Sequence, residues 1–110
     1  SVYNMTVREN QMEKSLSLAL SGAMNRYYEP NMYIVDKKPV SSYDVEKALI
    51  EDINERLTAG GTAIATVYVC DMEKGIISAG IEEEFKLPTG VTKKISCKKT
   101  IVADQPMEDN

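Results

Sequence analysis

The first part of the chain carries apolar residues at helical spacing. This pattern predicts a long helix from about Asn4 to Tyr28, which Pro30 cannot continue. Val7 points away from the apolar stripe and Glu9 interrupts it, so we expect the first turns to remain unpacked. The stripe that should pack on the rest of the domain consists of Met12, Leu16, Ala19, Leu20, Ala23 and Tyr27.

A second helical pattern follows a connector at residues 29–41. The apolar run Met32 to Val35 in the connector fits either a short edge strand or an irregular segment. Helix two is predicted from about Tyr43 to Ala59, with a hydroxyl cap from Ser41 or Ser42 before it. Gly60 and Gly61 supply a stop after it. Its apolar face consists of Val45, Leu49, Ile50, Ile53 and Leu57.

The second half of the chain changes to the two-residue period of strands. Three strands are predicted, at Thr62 to Cys70, Ile76 to Phe85 and Val91 to Val102. The turns between them lie at Asp71 to Gly75 and at Lys86 to Gly90. Short turns of this kind join antiparallel neighbours, so the strands should form a meander.

Alternation along each strand predicts which side chains face the helices. In the second strand the inward set is Ile77, Ala79, Ile81 and Phe85. In the first strand either parity could face inward, and we favour the set without polar atoms, Ala63, Ala65, Val67 and Val69. Counting back from the two turns places Gly80 opposite both Val67 and Cys97.

These elements predict an α+β fold. A long N-terminal helix and a second helix pack on one face of a three-stranded antiparallel meander, in a single domain at residues 1–103 with a frayed tail at 104–110. The predicted core is Met12, Leu16, Leu20, Ala23, Tyr27, Leu49, Ile53, Leu57, Val67, Val69, Ile77, Ile81, Phe85, Ile95 and Ile101.

Composition narrows the possible chemistry. The chain has 110 residues and a formal net charge of −4, which disfavours binding to nucleic acid. It contains no His, the commonest general base and metal ligand. Because carboxylates, Lys and Tyr do not converge in the sequence either, we expect no enzyme activity, no cofactor and no metal site.

The two cysteines, Cys70 and Cys97, are isolated, so they form neither a zinc motif nor a dithiol redox motif. They lie on strands separated by a third strand in the predicted meander. Because a disulfide needs Cα atoms within about 7 Å, we predict two free thiols.

The densest group of carboxylates is Glu82-Glu83-Glu84. Such a group could serve acid and base catalysis or hold a hard cation. Alternation sends Glu83 to the face opposite its neighbours, and Lys93 and Lys94 can lie across from them. We therefore favour charge pairing between strands. Asp71 to Gly75 likewise fits a surface turn better than a calcium loop.

Two features could form a protein contact. Val7 and Leu18 lie on the side of helix one opposite its core stripe and form an apolar seam. Tyr28 and Tyr33 belong to a group of tyrosines around the connector that could line a contact or could close the end of the core. The candidate contact residues are thus Val7, Leu18, Tyr28 and Tyr33.

Three segments of the chain carry a resemblance to known proteins. They are Arg8 with the helix from Glu13 to Ala23, the turn from Asp71 to Ser78, and Leu87 to Gly90 before the Lys-rich last strand. Together with the order of elements, which resembles that of pilin-type proteins, these segments make the chain similar to the extracytoplasmic part of TadE-like, single-pass bacterial proteins of the tight-adherence pilus type.

The resemblance implies a non-enzymatic structural domain of a surface or secretion-associated assembly, located outside the cytoplasm. Its partners would be proteins of a surface or pilus assembly, and an apolar helix preceding Ser1 would anchor it in the membrane. The alternative is a soluble module that binds a small ligand or a protein at a pocket bordered by Tyr27, Tyr33 and Tyr43.

Overall fold

The computed structural model describes residues 2–28, 41–57 and 62–103, with the side chains of 6–28, 41–57 and 63–103. These residues form two helices and three strands. The helices are α1, Val2–Tyr27, and α2, Ser42–Arg56. The strands are β1, Thr62–Asp71, β2, Ile76–Lys86, and β3, Thr92–Val102. The predicted run Met32 to Val35 and the predicted tail at 104–110 lie outside the described residues.

Helix α1 packs through the predicted stripe, since Met12, Leu16, Ala19, Leu20 and Ala23 are all buried. It begins and ends within two residues of the predicted bounds, a difference common at helix ends. The expectation that its first turns remain unpacked is wrong. Arg8 forms an ion pair with Glu83 of β2, and this pair attaches the first half of α1 to the sheet.

Helix α2 begins where the sequence predicts. The Oγ of Ser41 accepts a hydrogen bond from the backbone N–H of Asp44 at 3.1 Å, which satisfies one of the free amides of the first turn. Val45, Leu49 and Ile53 are buried against the sheet and α1. The helix ends at Arg56, before the predicted Ala59, which lies outside the described residues.

The strands form an antiparallel sheet in the order β1-β2-β3, as predicted. In the first turn the carboxylate of Asp71 accepts hydrogen bonds from the amides of Glu73 and Lys74 at 3.1 and 3.0 Å. Gly75 then adopts a φ of 72°, in the left-handed region that glycine tolerates best. The segment is a surface turn, in agreement with our interpretation.

The register differs from the prediction at one place in each hairpin. Gly80 pairs with Thr66, not Val67, because a bulge at Tyr68 inserts one residue into β1. On the other side Gly80 pairs with Lys98, not Cys97, because the second turn is one residue longer than we expected. The bulge also turns Val69 outward, where 45% of it is exposed, so its predicted place in the core is wrong.

Both helices cover the same face of the sheet. α1 lies against β3 and β2, whereas α2 lies against β1 and α1. The predicted core residues other than Val69 are either buried or packed against the buried cluster. The core also includes Ala19, Val45 and Ala79, which the sequence patterns place on inward faces although the predicted core set omits them. Met24, Met72 and Ala103 are buried without having been predicted. The fold is therefore α+β, with two layers and an outer sheet face opposite the helices.

Candidate functional site

The outer face of the sheet carries large apolar side chains in contact with solvent. Among the described residues no element packs on this face. Ile64 and Tyr68 of β1, Val69 beyond the bulge and Val102 of β3 are each between 45% and 59% exposed. We call these four residues the outer apolar patch. Exposed apolar residues grouped on one face are typical of surfaces that bind another protein.

The bulge shapes the centre of this face. The Tyr68 side chain lies over Gly80 of β2, so closely that a Cβ at Gly80 would be 3.0 Å from Tyr68 Cε2. The Nζ of Lys98 lies 4.5 Å from the centroid of the same ring, which places a cation on its face. A shallow groove of about 400 Å³ lies beside the Tyr68 ring, and its walls include Ile64, Thr66, Tyr68, Gly80 and Lys98.

Polar side chains of β2 and β3 lie beside the outer apolar patch. Lys94 Nζ and Glu84 Oε2 are 4.0 Å apart, which agrees with the predicted charge pairing between strands. Both side chains are more than half exposed, so this pair contributes at most about 1 kcal/mol. The hydroxyl of Thr100 donates to Ser78 Oγ at 3.0 Å.

On the helix-covered face, the middle residue of the acidic run has a different role. Glu83 is 1% exposed, and its carboxylate accepts two hydrogen bonds from the guanidinium of Arg8, one of them from Nε at 2.7 Å and the other from Nη2. The hydrogen bond to Glu83 raises the pKa of Arg8, against the lowering effect of burial. A charged side chain enters the core here because its charge is paired.

A cleft of about 300 Å³ adjoins this ion pair. Its walls include Gln11, Ser15, Arg56 and Leu57 in addition to the pair itself. Arg56 Nε donates to Asp52 Oδ1 at 3.0 Å, so a second ion pair of α2 lies beside the cleft. Sequence reasoning did not predict that Arg8 and Glu83 meet. The available signal was the position of Glu83 in β2, in line with Ile81 and Phe85.

The predicted contact residues do not form one surface. Leu18 is 48% exposed, whereas Val7 is half-buried, so the predicted seam is not equally open along its length. Tyr28 is half-buried and packs beside Gly75 of the first turn. Tyr33 lies outside the described residues. A contact at these positions remains a prediction.

Two of the described tyrosines near the connector, Tyr27 and Tyr28, line different grooves. A groove of about 440 Å³ includes Tyr27, and its other walls come from α1 and α2 and include the charged residues Arg26, Glu51 and Glu55. Tyr43 does not line it and is 71% exposed. The pocket bordered by Tyr27, Tyr33 and Tyr43 also requires a residue outside the described ranges.

Both cysteines are free thiols, as predicted. Burial raises the pKa of Cys70 and of Cys97, which makes both thiols less reactive near neutral pH. The Sγ of Cys70 lies 3.5 Å from the carbonyl oxygen of Ser42 at the start of α2. Within residues 2–28, 41–57 and 62–103, no three Cys, Asp or Glu side chains are placed to hold a metal ion.

Neither described helix combines the length and apolar character that a membrane span requires. Comparison of the chain with protein-family models, curated proteins and solved structures found no match.

Proposed function

We propose that this chain is a non-enzymatic assembly domain, located outside the cytoplasm, of a membrane-anchored, pilin-like surface or secretion-associated protein. One observation supports the proposal above all others. The outer apolar patch exposes Ile64, Tyr68, Val69 and Val102 on a sheet face that no other described element covers. When another protein packs on such a face, the apolar area is removed from water, and this favours association.

The fold suits such a role because it holds the outer apolar patch in a fixed orientation. The hydrogen bonds of the sheet order the patch, and α1 is fastened to the opposite face by Arg8 near its start and by apolar residues as far as Met24. In this proposal an apolar segment preceding Ser1 anchors the protein. A rigid α1 would then set the orientation of the sheet relative to the membrane.

The partners in this proposal are proteins of the surface or pilus assembly. The outer face offers apolar contacts beside ionic groups, namely Glu82 and Glu84 of β2 and Lys94 and Lys98 of β3. This mixture is typical of interfaces in which an apolar centre gives affinity and a charged rim gives specificity.

The test uses Ile64→Glu and Val102→Glu in the full-length protein, expressed in the cells that make it. Chemical cross-linking followed by blotting measures the fraction of the protein in larger complexes. Each substitution places a carboxylate in the outer apolar patch, so we expect the cross-linked fraction to fall at least fivefold because the charge would have to be buried at the interface. An unchanged fraction in both variants contradicts the proposal.

Val91→Glu is the matched control, since Val91 is 52% exposed but lies in the turn before β3. It should leave cross-linking unchanged. Leu18→Glu separately tests the predicted seam on α1, which faces away from the sheet. Thermal unfolding followed by circular dichroism shows whether each variant remains folded.

A further inference from the structure

The two edges of the sheet differ in charge. β1 and β3 are the edge strands, since the strand order is β1-β2-β3. β3 carries four lysines, and lysines on an edge strand hinder the addition of a further strand. β1 carries no charged side chain before Asp71, and most of its residues are β-branched or alanine. The edge of β1 therefore lacks this protection by charge.

The first half of β1 also has hydrogen-bonding groups available. Thr62 to Val67 pair with β2 in an unbroken register. A strand that is paired on one side only directs a row of backbone N–H and C=O groups outward on the other side. Among the described elements, only β2 forms backbone hydrogen bonds with these residues. The bulge at Tyr68 ends the regular part of the edge, which is thus residues 62–67.

α2 extends beyond this edge. It lies over β1 and beside α1, and the other described strands lie farther from it. A helix with its side chains is about 10 Å wide, whereas neighbouring strands are about 4.8 Å apart. A helix that lies over an edge strand therefore also covers the place of the next strand. α2 would contact one face of a strand added to β1.

The side of α2 that faces away from α1 has no net charge. Ala48, Glu51 and Asp52 line the groove between the two helices, which identifies the side toward α1. Helical spacing places on the opposite side Tyr43, Glu46, Lys47, Ile50 and Asn54. The two charges in this set have opposite signs, and Ile50 is half-buried. The set lies near β1, since burial and then the charge of Glu46 raise the pKa of Cys70.

The side chains of β1 that face α2 are small in the regular part of the edge. Ala63 and Ala65 are half-buried and pack against the core. Small side chains allow the helix to lie close to the strand. A strand added beside β1 therefore has room for small side chains on the face that α2 covers.

We propose that the edge of β1 at residues 62–67, together with the side of α2 centred on Ile50, binds an extended, uncharged segment of a partner protein as a fourth strand. The inference rests on the proposed assembly function and names the way in which the partner binds. Main-chain hydrogen bonds supply the affinity, and alternate side chains of the segment contact α2. The segment is uncharged because neither β1 nor this side of α2 carries a net charge that would attract a charged one.

The added strand would also enlarge the proposed contact surface. Ile64 belongs to the same part of β1 and exposes its side chain on the outer face. The outward side chains of a fourth strand would lie beside it, since neighbouring strands share their faces. The edge of β1 is thus continuous with the outer apolar patch.

The probe for the test is a capped synthetic peptide with the sequence of residues 62–67, TAIATV, which is uncharged and has alanine at alternate positions. Hydrogen exchange followed by NMR measures the backbone amides of the full 110-residue chain. With about 2 mM peptide, alternate amides of residues 62–67 should exchange about threefold more slowly, as expected for a dissociation constant near 1 mM. The amides of β3 should exchange at unchanged rates.

Two matched controls accompany this measurement. A peptide of the same sequence, N-methylated at two neighbouring central residues, loses a donor on each of its edges and should bind about tenfold more weakly. In the chain, Ile50→Ala should weaken binding of the unmodified peptide about threefold, because it removes an apolar contact with the added strand. Leu87→Ala, at a half-buried residue in the turn between β2 and β3, should leave binding unchanged. Thermal unfolding shows whether each variant remains folded.

Three results would overturn the inference. One is a peptide that leaves the exchange of every amide in residues 62–67 unchanged. Another is slow exchange of all these amides in the chain alone at every concentration, which would mean that the edge is already covered. The third is protection that increases with chain concentration without peptide, which would identify a second copy as the occupant.

These outcomes are separate from the test of the proposed function. Val102 lies on β3, so Val102→Glu should leave peptide binding unchanged, and Ile50→Ala leaves the outer apolar patch intact. Reduced cross-linking of the Val102→Glu protein without any effect of the peptide would keep the proposed function and remove the fourth strand. Slower exchange with the peptide, together with unchanged cross-linking of Ile64→Glu and Val102→Glu, would keep the fourth strand and remove the outer apolar patch.

Discussion

Arg8 of α1 and Glu83 of β2 form a doubly hydrogen-bonded ion pair across 75 residues of sequence. Glu83 is 1% exposed, whereas 29% of the Arg8 side chain is exposed, so the cation connects a buried carboxylate to the edge of the core. The pair fastens the second turn of α1 to the sheet. Together with the buried side chain of Met12, it gives the first half of the helix a fixed position.

Replacement of Arg8 by Ala should destabilise the domain. It would leave the Glu83 carboxylate buried without its guanidinium partner, at a cost of about 2 to 4 kcal/mol in the free energy of unfolding. Equilibrium unfolding in urea measures this cost. Arg56→Ala is the control, since it removes an exposed pair with Asp52 and should cost less than about 1 kcal/mol. Equal costs for the two substitutions would show that the buried pair does not hold α1.

The double substitution Arg8→Met with Glu83→Leu should recover most of the stability lost in Arg8→Ala. Apolar side chains of similar volume fill the site without a buried charge, and such replacements of buried ion pairs are often neutral or stabilising. The same urea titration checks this outcome. A double variant as unstable as Arg8→Ala would mean that packing of the Arg8 stem, and not its charge, maintains the contact.

Gly75→Ala should be among the most damaging substitutions in the first turn. Gly75 has a φ of 72°, and a Cβ there would lie 2.7 Å from Ala103 Cβ and 2.9 Å from Tyr28 Cε1. Backbone strain and steric overlap together should lower the free energy of unfolding by about 2 to 4 kcal/mol.

Gly90→Ala is the matched comparison for that substitution. Gly90 also has a positive φ, of 91°, but a Cβ there would meet no atom within 4 Å. Only backbone strain should remain, with a cost of about 1 to 2 kcal/mol. If the two alanine variants unfold at the same urea concentration, the packing of Tyr28 and Ala103 against the turn is not as described.

Because of its two thiols, the domain should lose stability at alkaline pH. Burial raises the pKa of Cys70 and of Cys97, so the folded chain holds these protons more tightly than the unfolded chain does. Their contribution is fully present below the pKa of an unfolded thiol, about 8.5, and is lost as the pH rises through the folded values.

The rate of alkylation by iodoacetamide measures the same rise in the pKa of the two thiols. Because the thiolate is the reactive form, both cysteines should react more slowly at pH 8 than a thiol in a short peptide and should approach its rate at higher pH. Cys70→Ser and Cys97→Ser variants assign the rates to individual residues. Alkylation at pH 8 as fast as that of the peptide would contradict the burial of these thiols.

The sequence predicts the elements well because each depends on local periodicity. The apolar stripe from Met12 to Ala23 predicts α1 through the helical spacing of its residues alone. Ser41 acts as a cap and Gly75 as a turn residue, and both roles depend on neighbouring positions in the sequence. The two-layer arrangement then follows, since one apolar face of a meander must be covered.

Contacts between distant residues could not be predicted in the same way. The bulge at Tyr68 arises from pairing with β2, and it reverses the alternation that places Val69 inward. The charge pairing predicted for the acidic run is correct for Glu84 with Lys94, but Glu83 pairs with Arg8 from the other half of the chain. The predicted contact residues lie on α1 and around the connector that follows it, whereas the outer face of the sheet exposes four large apolar side chains among the described residues.

The proposed function requires that this domain act outside the cytoplasm through the outer face of its sheet. The most direct measurement labels intact cells with a membrane-impermeant amine reagent and quantifies each lysine of the full-length protein by mass spectrometry. We expect Lys74, exposed in the first turn, to be labelled in intact cells, and Lys98, which lies over Tyr68, to be several-fold less labelled than in the isolated chain. Labelling of Lys74 only after lysis, or equal labelling of Lys98 in both samples, would contradict the claim.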